Sequence, residues 1–182
     1  DEVIIPSPYW VSYTDMVNLA GGRPVIVETN MLDNFKISAN QLKENISTKT
    51  KWFILNSPGN PTGAVYSKHE LKEISKVLME NKHVYILSDD IYEHITYDED
   101  FYNILNLEPK LYDRTFIVNG VSKVFSMTGW RIGYGAGNNE VIKAISKIQS
   151  QSTTNPCSIS QVAARFALDT KKDFLKDWVL EF

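Results

Sequence analysis

The chain has 182 residues, 43% hydrophobic and 23% charged, with 19 Lys and Arg against 22 Asp and Glu and a mean hydropathy of -0.24. That is a globular composition of single-domain length, able to bury about 70% of its unfolded surface. The net charge of -3 without a basic stripe argues against nucleic acid as a partner, and no apolar stretch approaches the roughly 18 residues of a spanning helix, so a membrane is not expected either.

In chain order, residues 3–5 read as a first short strand, and residues 15–20 as a short helix closed by Gly21-Gly22. A second strand is expected over 24–28. Ser38-x-x-Gln41 has the spacing of a capping box and opens the next helix. Residues 51–55 form a third strand, and its run Trp52-Phe53-Ile54-Leu55 suits burial on both faces. Ser67-x-x-Glu70 repeats the capping-box spacing, and Leu71, Ile74, Val77 and Leu78 follow as one helical stripe. Strands are expected over 84–87, 115–118 and 131–134. Val141, Ile142, Ile145 and Ile148 mark an amphipathic helix, and Pro156 with Ser158-x-x-Gln161 opens another through Val162, Ala163, Phe166 and Ala167. One more helix is expected from Phe174. Strands alternating with helices predict a three-layer α/β/α sandwich with a mostly parallel sheet.

The single cysteine, Cys157, has no partner for an internal disulfide, and His69, His83 and His94 lack ligand spacing. With no basic and apolar leader at the N-terminus, a reducing, cytoplasmic setting without a structural metal is expected. The first residues and the apolar last ones, Trp178 to Phe182, read as though cut through structure.

Ligands of parallel sheets gather beyond the carboxyl ends of the strands. There this sequence places Tyr9-Trp10-Val11-Ser12-Tyr13, Asn60-Pro61-Thr62-Gly63, Asp89-x-x-Tyr92, Ser122-Lys123 and Thr128-Gly129-Trp130-Arg131. Together they supply an aromatic face, an amide on a rigid turn, a carboxylate, a phenol, an amine and a guanidinium. A pyridoxal 5'-phosphate (PLP) site needs this set: an amine for the aldehyde, an acid for the pyridine nitrogen, donors for the phenolic oxygen, a ring to stack and a cation for phosphate.

Gly120-Val121-Ser122-Lys123 followed by Gly129-Trp130-Arg131-Ile132-Gly133, with Asn60-Pro61-Thr62-Gly63 and Asp89-x-x-Tyr92, resembles the motifs of the class I, fold type I PLP-dependent aminotransferases. Pro8-Tyr9-Trp10-Val11-Ser12-Tyr13 is similar to a segment of the bacterial aspartate aminotransferase branch. The resemblance implies that Lys123 is the Schiff-base lysine and proton shuttle, that Asp89 pairs with the ring nitrogen, and that Tyr92 and Asn60 bond the phenolic oxygen. It implies that Trp10 stacks on the ring, that Arg131 and Ser122 serve the phosphate, and that Trp10 and Asn60 border the substrate. Amino-acid and 2-oxo acid substrates, a homodimeric parent and transamination between L-aspartate and 2-oxoglutarate follow from the same likeness. Residues 1–170 would be the central part of the PLP-binding large domain, and 171–182 the start of a helix towards a small domain. The phosphate-cradling turn and the substrate-carboxylate arginine would lie outside this chain, leaving it weak or inactive alone. Gly120 stands where many relatives have a serine that touches the phosphate.

Other readings stay open on the residues alone. Asp89 could cap a helix, a task better suited to Asp90. Tyr92 and Trp10 could be packing, Arg131 a surface ion-pair partner, Asn60 a turn residue before proline. Tyr13 reads as support beneath the stacked aromatic, and Met127, Trp130 and His94 as structural. Gly133-x-Gly135-x-Gly137 lacks the spacing of a dinucleotide fingerprint, and Ser122 beside Lys123 lacks the context of a Ser-Lys hydrolase. Transamination of aromatic amino acids, prephenate or kynurenine, a C–S lyase on the same fold, and a non-catalytic α/β binding module are the alternatives.

Overall fold

A computed structural model describes residues 1–181. Its strands are β1 (Glu2–Ser7), β2 (Arg23–Glu28), β3 (Thr50–Asn56), β4 (Tyr85–Asp89), β5 (Thr115–Gly120) and β6 (Gly133–Ala136). Its α-helices are α1 (Ser12–Leu19), α2 (Ala39–Asn45), α3 (Lys68–Glu80), α4 (Ile104–Leu107), α5 (Asn139–Ser150), α6 (Ser158–Asp169) and α7 (Leu175–Glu181). The strands form one sheet in the order β2-β1-β3-β4-β5-β6. β1 to β5 are parallel to their neighbours and β6 runs antiparallel to β5. The difference follows from the connections. Helical crossovers join the first five strands and return the chain to the same end, whereas only turns separate β5 from β6.

Side chains alternate across the sheet. Ile4, Phe53, Leu55 and Ile86 pack with Leu42, Leu71, Ile74, Leu78 and Ile104 from α2, α3 and α4. Val3, Ile5 and Ile54 point the other way and pack with Tyr13 and Val17 of α1. Burial on both faces explains the unbroken apolar strands, and the expected three-layer α/β/α order is present.

Both expected capping boxes on α2 and α3 are fully formed, Ser38 with Gln41 and Ser67 with Glu70. α1 starts at Ser12, three residues ahead of expectation, and Gly21 takes the left-handed turn behind it at φ +71°. α6 opens where expected but without a capping box. Ser158 lies inside α6, Cys157 is its N-cap, and the Gln161 amide donates instead to the Pro156 carbonyl at 2.8 Å.

The last strand lies two residues later than 131–134, because Arg131 adopts φ 56° and closes a one-turn 3-10 helix at Thr128–Trp130. Pairing begins at Gly120 opposite Gly133. The glycine repeat there is a packing track: side chains on Gly135 and Gly137 would run into the Phe116 ring. The sequence reading did not foresee α4 or the 3-10 helices Met31–Asp33, Pro109–Arg114 and Thr128–Trp130.

Candidate active site

β3, β4 and β5 end level with one another, with Asn56 opposite Asp89 and Asp89 opposite Val118. All seven residues singled out from the sequence, Trp10, Asn60, Asp89, Tyr92, Ser122, Lys123 and Arg131, line one pocket of about 470 Å³ at this edge.

Each wall has a local cause. The chain leaves β1 through Pro8, and Trp10 precedes the first turn of α1. Its ring meets the Tyr13 ring edge-on, with centroids 5.5 Å apart at 84°. After β3, Asn56 bridges two strand ends: its side-chain amide donates to the Asp89 carbonyl at 2.9 Å, and its Oδ1 accepts from the Asn60 backbone N–H at 2.8 Å. The Asn60 position is thereby tied to the end of β4. The turn at residues 121–126 carries Lys123. Val121 and Val124 anchor it as buried residues, Val121 packing with Ile132 and Ala164 of α6. The Thr128 hydroxyl donates to the Ser122 carbonyl at 3.1 Å. Lys123 Nζ lies 5.6 Å from the centroid of the Tyr92 ring, a cation over an aromatic face.

Arg131 is exposed and held by its own Nη1 donating to the Thr128 carbonyl at 3.0 Å. A left-handed arginine stores about 1–3 kcal/mol of backbone strain, which accumulates at functional sites.

The two neighbouring acids divide sharply. Asp89 faces the pocket and accepts from the Tyr13 hydroxyl at 2.6 Å and the Ile91 N–H at 3.2 Å. Burial raises its pKa, and those two donors oppose the rise. Burial also drives the Tyr13 phenol far above its ordinary value, with the Asp89 charge adding to the effect, so Tyr13 keeps its proton and remains a donor. Asp90 is buried and turned away. It accepts from Ser88 at 2.7 Å and from the Asn103 amide, and burial pushes its pKa up to about 6. It caps no helix, contrary to expectation; a turn follows it. The sequence reading placed Tyr13 as support beneath the aromatic but not its bond to Asp89, and it gave Asn56 no role. Their partners lie 76 and 33 residues away.

The donor set suits a pyridine aldehyde phosphate: an exposed amine, a part-buried carboxylate that favours a protonated ring nitrogen, a phenol, an amide and a guanidinium around one cleft. Gly120 admits no easy serine here, because a Cβ would come within 2.9 Å of the Ile132 carbonyl. Among the described residues no group of His, Cys, Asp and Glu could hold a metal ion, and no helix is long and apolar enough to cross a membrane.

Fold and pocket together define an α/β enzyme core of the aminotransferase type. The chain belongs to the class I and II aminotransferase family, whose model matches residues 1–181; that family uses PLP. It is 59% identical over 177 residues to a probable aspartate/prephenate aminotransferase of Rickettsia conorii, covering 97% of this chain and 44% of that protein. It is 57% identical over 176 residues to the aspartate/prephenate aminotransferase of Cereibacter sphaeroides, covering 96% and 44%. The crystal structure of the Rhizobium meliloti aspartate aminotransferase superposes with a TM-score of 0.97 at 48% identity, over 100% of this chain and 46% of that one. The chain thus spans a little under half the length of the relatives it matches.

Proposed function

We propose that this chain is the central part of the cofactor-binding domain of an aspartate-type aminotransferase, with residues 1–170 forming that part and 171–182 leading towards a second domain. The complete protein exchanges an amino group between L-aspartate and 2-oxoglutarate, giving oxaloacetate and L-glutamate, and works as a homodimer. The observation that carries this is the single pocket in which Lys123, Asp89 and Tyr92 meet Trp10, Asn60, Ser122 and Arg131.

PLP, when bound, supplies an electron sink that acidifies the amino acid's Cα proton. The residues divide the remaining work. Lys123 Nζ would be the amine that holds the cofactor's aldehyde end, and the same amine would carry the proton at the substrate Cα. Asp89 keeps a proton on the ring nitrogen. Tyr92 and Asn60 would bond the phenolic oxygen, Trp10 would stack on the ring, and Arg131 with Ser122 would serve the phosphate. Trp10 and Asn60 also border the substrate.

Prephenate as a second amino acceptor is favoured by one observation: two relatives above 55% identity carry aspartate/prephenate in their names. The complete protein mixed with PLP should develop the absorbance of a bound Schiff base, and should form oxaloacetate from aspartate with either acceptor. Lys123→Ala should lose both signals. Release of pyruvate and a thiol from cystathionine without transamination would overturn the proposal in favour of a lyase.

A further inference from the structure

We infer that Tyr13 is a positioning residue that sets two walls of the cleft at once, holding the Asp89 carboxylate with its hydroxyl and the Trp10 ring with its own ring. This rests on the functional reading above. Tyr13 is 3% exposed, lies one helical turn after Trp10, and is fixed in the face where Val3, Ile5 and Ile54 pack. Its hydroxyl donates to Asp89 Oδ2 at 2.6 Å while the Ile91 N–H holds Oδ1 at 3.2 Å. The carboxylate is therefore clamped from two sides, with one oxygen on each donor and lone pairs left over for a ring N–H. The edge-on contact with Trp10 comes from the same phenol ring, so α1 transmits one register to both the stacking face and the acid.

The hydroxyl also has an electrostatic task. Asp89 is part-buried, and its ionised form needs donors to survive there. Besides Tyr13, the titratable side chains lining the cleft with it are Lys123, Arg131 and Tyr92, none of which hydrogen-bonds Asp89; Asp90 and Glu93 lie in the sequence just beyond. Removal of the Tyr13 hydroxyl leaves Ile91 N–H as the one remaining donor to the carboxylate, and the acid becomes easier to protonate. A protonated Asp89 cannot keep a proton on a ring nitrogen.

The test is Tyr13→Phe, with Tyr66→Phe as control. Tyr66 is another buried tyrosine, one that makes no hydrogen bond to Asp89 and whose hydroxyl accepts from the Ile37 N–H at 2.9 Å. Carboxyl carbon NMR on the cofactor-free protein should show the Asp89 titration moved upward by about one to two pH units in Tyr13→Phe and unmoved in Tyr66→Phe. PLP affinity should fall about tenfold in Tyr13→Phe. Trp10 fluorescence should stay as in the parent, because phenylalanine keeps the ring, and should change in Tyr13→Leu. An Asp89 titration unchanged in Tyr13→Phe overturns the inference, as does an equal shift in Tyr66→Phe, which would mark a general loss of packing. Failure of the functional reading looks different: the unmutated protein itself would develop no Lys123-dependent absorbance with PLP.

Discussion

At the scale of single residues, the sequence reading that Lys123 and Arg131 belong beside one cleft rests on a local signature, and both line one pocket, whereas the clamp on Asp89 was not legible, because only the fold joins residues 76 apart. Lys123→Ala should lower the transamination rate of the complete protein by a factor of at least about 10²–10⁴, the usual yield of a positioned acid-base group. Arg131→Lys is not conservative, since an ammonium lacks the planar fork for phosphate. A loss of one charge-assisted bond predicts PLP binding weaker by about 10- to 100-fold, measurable by titrating apoprotein with the cofactor. Asp90 gives a pH prediction of definite sign. Its folded pKa of about 6 exceeds the ordinary 3.8, so the stability it contributes is fully present below about 3.8 and is lost as pH climbs through about 6. The loss is on the order of 3 kcal/mol. In Asp90→Asn the amide can still serve Ser88 and Asn103, so urea unfolding should show a flatter pH dependence between those limits than in the parent protein.

At the scale of elements, the capping boxes of α2 and α3 were readable because a helix start is written within four residues. Ser67→Ala should cost about 1 kcal/mol in urea unfolding, as Glu70 loses the serine that fixes its turn. The other end of α3 was not readable. Arg114, far along the chain, donates to the carbonyls of Leu78 at 2.9 Å, Asn81 at 3.2 Å and Val84, which joins the last turn of α3 to the segment that leaves it for β4. Arg114→Leu removes three charge-assisted bonds and should destabilise by about 1.5–3 kcal/mol, more than the loss of the N-cap. The bounds of β6 were misjudged for a related reason. Arg131 does not announce its left-handed turn.

At the scale of the whole molecule, the sheet and its two covered faces follow from the strand sequences, but the far end of the chain is differently placed. α5 carries its apolar residues on one side yet buries none of them, and Ile148, Ile159, Val162 and Phe166 on α5 and α6 are each at least 70% exposed. Amphipathic periodicity predicts that a helix has a covered face without saying what covers it, which is why the sequence reading located these helices and not their surroundings. Water against so many large apolar side chains costs roughly 25 cal/mol per Å², and patches of this kind drive association. The 182-residue chain prepared by itself is therefore expected to bind a hydrophobic dye and to self-associate at micromolar concentration, as sedimentation velocity would show. Ile148→Lys combined with Phe166→Glu should suppress both effects while leaving the sheet's circular dichroism intact, because neither side chain belongs to a buried cluster. A chain that stays monomeric without those substitutions would show that α5 and α6 fold back to shelter their apolar sides from water.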